Sequence, residues 1–238
     1  METSSKQWQK LTGREWARVS VVTLSLSALL TTGFIPTAKG FAIWVTQALH
    51  LTLSPTQAEL LGQLSFPLLA LFFYLSLPRK VRAEDHAEGL PGKNGFWDWI
   101  WIPALISFLY GRFHHYPSIF SLISTTSGRL SLTWTFFAIP CGEELLFRGW
   151  FYAIVNRIWP RSLVSATGPM PLCLWASAVA FSLWHLQNLG TDPMAAVAFQ
   201  CLYTLFTGLW LGYLRWKTGK LTVPIMAHFV LNAVTNLP

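Results

Sequence analysis

Long apolar runs alternate with short polar or basic connectors along this chain, and that alternation predicts the architecture. A helix crossing the hydrocarbon core of a bilayer needs about 20 mostly apolar residues. Stretches of this kind fall at 17–37, 57–78, 97–112, 131–156, 171–188, 194–214 and 221–237, the third and the last being short. The run from Phe41 to Leu53 is apolar but shorter still, so it lies in the interface, re-enters the membrane or adds a crossing. Pro55 and Pro78 mark boundaries, and Gly89 to Gly95 reads as a polar loop. The expected fold is all-α, a polytopic transmembrane helix bundle of about seven spans, or eight if residues 41–53 cross. Residues 1–130 are expected to supply N-terminal membrane helices, and residues 131–238 a catalytic core.

Composition agrees with the pattern. Hydrophobic residues make up 53% of the 238 residues, charged residues only 11%, and mean hydropathy is +0.42. A soluble domain carries about 25% charged residues, so this chain cannot cover a water-facing surface. Trp97, Trp99 and Trp101 alternate near a span boundary and read as an aromatic belt. The basic start followed by Val19 to Ile35 resembles a signal peptide, but no A-x-A site follows, and the run reads as the first transmembrane helix.

The net charge of +7 does not point to nucleic acid, because the cations sit in short clusters between apolar runs rather than on one basic stripe. They report topology instead. With the N-terminus in the cytoplasm, 13 Lys and Arg fall on the inner side and three, Lys39, Arg112 and Arg129, on the outer. That bias predicts a cytoplasmic N-terminus, and a bacterial or archaeal plasma membrane is the expected location. Arg215, Lys217 and Lys220 count as inner-side cations, whereas Arg148 falls inside the fourth span. Cys141, Cys173 and Cys201 lack metal-site spacing, are odd in number, and are expected to be buried free thiols.

Three spans carry polar groups that an apolar helix does not need. In the fourth, Pro140-Cys141-Gly142-Glu143-Glu144-Leu145-Leu146-Phe147-Arg148-Gly149 places three charges within six residues. Each mid-membrane charge costs about 2.5–3.5 kcal/mol on insertion scales. Glu144 and Arg148 are four apart and can pair on one helix face, while Glu143 points about 100° away. The fifth span ends in Phe181-Ser182-Leu183-Trp184-His185, and the seventh holds His228 and Asn232 on one face. Polar groups in membrane helices turn to the bundle interior, so these can form one buried pocket of carboxylate, imidazole and amide. Those are parts for hydrolysing an amide. Glu143 can act as general base toward water, His185 can share the proton or position the water, and His228 and Asn232 can donate to the oxyanion. No metal or other cofactor is called for.

Glu143-Glu144-x-x-x-Arg148, Phe181-x-x-x-His185 and His228-x-x-x-Asn232, in that order on separate helices, resemble the three motifs of the CPBP family. These are the CAAX-prenyl-endopeptidase and bacteriocin-processing-type intramembrane proteases, also called ABI proteins. Gly208-x-x-x-Gly212, Thr218-Gly219 and Pro224 are similar to the family's approach to its last motif, and the resemblance covers roughly residues 131–237. It implies that Glu143 and His185 activate water, that His228 and Asn232 stabilise the oxyanion, and that Glu144 and Arg148 support the site. The expected activity is cleavage of a peptide bond near the C-terminus or membrane boundary of a lipidated or membrane-anchored protein, its partner in the bilayer. The alternative is a non-catalytic immunity or assembly factor on the same scaffold.

Other readings compete. Glu144 with Arg148 can be a structural ion pair, and His228 with Asn232 can be hydrogen-bonding glue between helices. Two histidines and a glutamate could hold a catalytic zinc, although no His-Glu-x-x-His helix is present. Cys141 with His185 could form a nucleophile–base pair. A small transporter would use the buried charges as an ion relay, but the short chain shows no inverted repeat.

Overall fold

The computed structural model describes residues 55–78, 95–114, 134–158, 162–165 and 168–238, with isolated positions 21, 23, 47, 118, 123 and 124. The expected span at 17–37 and the apolar run at 41–53 lie almost wholly outside the described residues. The apolar runs from 57 onward fold as helices where the pattern predicts them. They are α1 (Pro55–Ser76), α2 (Gly95–His114), a composite fourth helix described below, α5 (Leu172–Trp184), α6 (Met194–Thr218) and α7 (Thr222–Thr235). Among the described residues only α6 is both long and apolar enough to cross a membrane; Ser65–Ser76, Ile100–Phe113 and Thr222–Thr235 are shorter apolar helical stretches. An antiparallel hairpin, β1 (Ser162–Ser165) with β2 (Gly168–Pro171), is an exception to the all-helical expectation.

The fourth predicted span is not one regular helix. It runs as a π-helical segment (Trp134–Ala138), α3 (Ile139–Glu144), a second π-helical segment (Leu145–Phe151) and α4 (Tyr152–Ile158). At the second junction the Tyr152 N–H reaches back to the carbonyl of Phe147, a five-residue turn. Widened turns of this kind concentrate at functional sites because they rotate the following side chains out of register. Here they bracket the two glutamates.

Polarity is distributed as a bilayer demands. Phe72, Trp101, Leu105, Phe113, Phe206 and Met226 are exposed, whereas Glu143, Glu144, Arg148, Arg215 and His228 are buried. The apolar core joins Leu146, Phe147 and Phe151 to Leu174, Ala180, Phe181 and Trp184 of α5, with Phe66, Phe73 and Tyr74 of α1 packed against it. α5 packs along α6, where the Ser182 hydroxyl donates to the Cys201 carbonyl at 2.7 Å. A hydroxyl pair, Ser107 of α2 with Tyr203 of α6 at 2.8 Å, ties a second interface. Without a hydrophobic drive between helices in lipid, such bonds and close packing hold a bundle together.

α1 reaches the glutamate segment directly. A Cβ on Gly142 would stand 2.5 Å from the Phe66 ring and 3.1 Å from the backbone of Pro67, so only glycine permits this approach beside Glu143. Residues before 130 therefore pack against the polar segment. Of the cysteines, Cys173 is buried and Cys141 and Cys201 are half-buried; all three are free thiols.

Candidate active site

Convergence of the three polar motifs at one depth would be awkward for straight helices, because His185 ends one and His228 begins another. Local breaks resolve this. α5 stops at Trp184, and His185 opens a 3-10 turn (His185–Gly190). Its Nδ1 lies 2.9 Å from the Phe181 carbonyl. A carbonyl only accepts, so Nδ1 carries the proton, and Nε2 is left with its lone pair.

Phe181 is the packing centre of the site. Its ring meets His185 edge-on at 5.1 Å and His228 edge-on at 5.8 Å. Phe147 also meets it edge-on, at 5.3 Å, and the Arg148 guanidinium lies 4.3 Å above the ring centre. One aromatic side chain thus spaces two imidazoles and a guanidinium.

The polar cluster itself is compact. The Arg148 Nη1 donates to Glu144 Oε1 at 2.8 Å, the expected four-residue pair, with both side chains fully buried. Its Nη2 donates to the Gly208 carbonyl of α6 at 3.1 Å. His228 Nδ1 donates to the same Glu144 oxygen at 2.9 Å, and His228 Nε2 faces Glu143 Oε2 at 3.7 Å. The first distance is a hydrogen bond; the second is too long for one and leaves both atoms capacity for a third partner. With Nδ1 donating to Glu144, Nε2 accepts in the neutral ring and donates when the ring carries both protons.

The structure therefore brings Glu143, Glu144, Arg148 and His228 into direct contact and sets His185 against the same phenyl ring. His185 makes its hydrogen bond to its own helix rather than to Glu143. Asn232 lies one turn beyond His228 on α7, half-buried, its backbone carbonyl accepting from Asn236 Nδ2 at 2.9 Å. Glu144 pairs with Arg148 as the spacing led us to expect, and His228 shares that carboxylate across 84 positions. Arg215, counted from its position as an inner-side cation, is only 3% exposed and bonds backbone carbonyls inside the bundle. Its place directly after the predicted span at 194–214, ahead of Lys217 and Lys220, was the available signal for it.

The described residues thus form a helical bundle with an apolar exterior and a buried carboxylate–imidazole–guanidinium cluster. Residues 129–234 match the family model described as type II CAAX prenyl endopeptidase Rce1-like. The matched segment contains all three motifs and agrees with the CPBP resemblance. Proteins of that family are CAAX-type intramembrane proteases and integral membrane proteins. No curated protein and no solved structure matches the chain.

Proposed function

We propose that this chain is an intramembrane endopeptidase acting near the C-terminus or membrane boundary of a lipidated or membrane-anchored protein. The observation that supports it best is the meeting of Glu143, Glu144 and His228, from two helices, at 3.7 and 2.9 Å inside the matched segment. In this reading Glu143 takes a proton from water as the oxygen attacks the scissile carbonyl. His185, through its lone-pair Nε2, positions that water or shares the proton. The Nε2–H of a doubly protonated His228 and the Asn232 amide donate to the oxyanion. As the carbon–nitrogen bond breaks, the proton held by Glu143 passes to the departing amine. Glu144 and Arg148 hold His228 in place, and no side chain becomes covalently attached to substrate.

C-terminal proteomics of membranes containing wild-type protein against Glu143→Ala tests this directly. Substrates should keep longer C-termini in the variant. Identical C-termini in both would favour the non-catalytic immunity or assembly reading.

The same reading places about seven spans in a bacterial or archaeal plasma membrane, N-terminus inside, with residues 131–238 as the catalytic core. Reporter fusions after residues 90, 160 and 218 should all report cytoplasm, because 13 of 16 cations outside the fourth span then lie on the inner side. A signal from the opposite face at any of them would refute the map.

A further inference from the structure

Arg215 is a buried charge that the proposed mechanism leaves unused. It lies in the last turn of α6, where a cation at a membrane boundary ordinarily reaches outward to water. Here the side chain turns inward instead. Its Nε donates to the carbonyl of Arg148 at 3.4 Å, and its Nη1 donates to the carbonyl of Gly219.

Those two carbonyls belong to the two pieces of chain whose separation sets the site. Arg148 sits in the π-helical segment directly after Glu143 and Glu144. Its side chain is anchored to Glu144 and Gly208, and its carbonyl to Arg215. Gly219 caps α6 in the left-handed conformation, with φ 63°, and its own N–H donates back to the Arg215 carbonyl at 2.9 Å. The turn is stiffened further by the Thr218 hydroxyl, which donates to the Leu214 carbonyl at 2.7 Å and accepts from the Lys220 N–H at 3.2 Å. α7 starts at Thr222, and His228 follows six residues, about 9 Å of helix, later.

We propose that Arg215 is a positioning residue: its guanidinium fork fixes the turn that launches α7 against the glutamate segment, and so sets the reach of His228 to Glu143 and Glu144. This rests on the endopeptidase reading above. A planar fork can serve two carbonyls at once in one geometry, whereas a lysine ammonium is a point charge on a flexible stem. A displacement of about 1 Å between reacting groups costs on the order of 10²-fold in rate.

The competing role for Arg215 is topogenic, as one more inner-side positive charge, and Arg215→Lys separates the two. The test measures kcat, KM, the unfolding midpoint and the location of a reporter after residue 220 for Arg215→Lys, Arg215→Gln and Glu143→Gln. Positioning predicts that Arg215→Lys keeps topology and fold yet loses about 10²-fold in kcat, with KM changed by no more than about threefold. Arg215→Gln should lose at least as much. Wild-type kcat in Arg215→Lys, beside an inactive Glu143→Gln, would overturn the positioning role alone. Failure of both Arg215 variants to fold would assign the residue to stability and likewise overturn it. An active, folded Glu143→Gln would remove the endopeptidase reading, and this proposal with it.

Discussion

Glu143→Gln should remain folded and lose about 10²–10⁴-fold in turnover, the range that a positioned general base supplies. The substitution keeps size and shape, removes the acid–base function, and disturbs little packing, because the ion-pair partner of Glu143 among the described residues, His228 Nε2, stands 3.7 Å away, beyond hydrogen-bond length. Glu144→Gln should behave differently. That side chain is fully buried and receives both the Arg148 guanidinium and the His228 imidazole on one oxygen, so its loss should lower stability before it alters chemistry. In the proposed reading accessibility favours Glu143 over Glu144 as the base. A base must meet water, and the Glu143 side chain retains about a tenth of its exposure while that of Glu144 retains none. Cleavage rate and unfolding midpoint measured on both variants check the assignment. A well-folded, inactive Glu144→Gln beside an active Glu143→Gln would move the base to the neighbouring position.

Arg148→Ala should destabilise the protein by about 3–5 kcal/mol, the cost of removing one partner from a buried ion pair. Arg148 is fully buried and meets three groups: Glu144 through Nη1, the Gly208 carbonyl through Nη2, and the face of Phe181. Deleting it leaves the Glu144 carboxylate with His228 as its remaining charged partner and opens a space beside the ring that separates the two histidines. Arg148→Lys should fall between, because one ammonium cannot span both Glu144 and Gly208. Denaturant unfolding of the detergent-extracted proteins gives the comparison. A change in Arg148→Ala below about 1 kcal/mol, the scale of an exposed pair, would mean that the pair is wetter than its burial indicates.

The two effects concern different links of one design. In the proposed reading Glu143 belongs to the chemistry, with His228 Nε2 standing 3.7 Å away. Glu144, Arg148 and His228 form a network joined at Glu144 Oε1, while among the described residues Glu144 Oε2 and Arg148 Nε find no hydrogen-bond partner, so the cluster offsets only part of the cost of burying its charges.

Residue pattern alone determined a good deal about this protein. Charges are expensive inside apolar runs, so Glu143, Glu144 and Arg148 stand out without any structure. Side chains four apart on a helix meet, so the Glu144–Arg148 pair was legible, as was the shared face of His228 and Asn232. The order and spacing of the three motifs pointed to the family that residues 129–234 match. What only the tertiary structure decided are contacts between elements far apart in the chain. No local rule brings His228 to Glu144, Arg215 to the Arg148 carbonyl, or Phe66 against Gly142. The π-helical turns were also illegible, because hydropathy reports that a segment is buried but not how its backbone winds. The inward turn of the Arg215 side chain was illegible for a related reason. Composition places a cation near the end of an apolar run, while the direction its long side chain takes depends on which carbonyls the neighbouring elements leave within its reach.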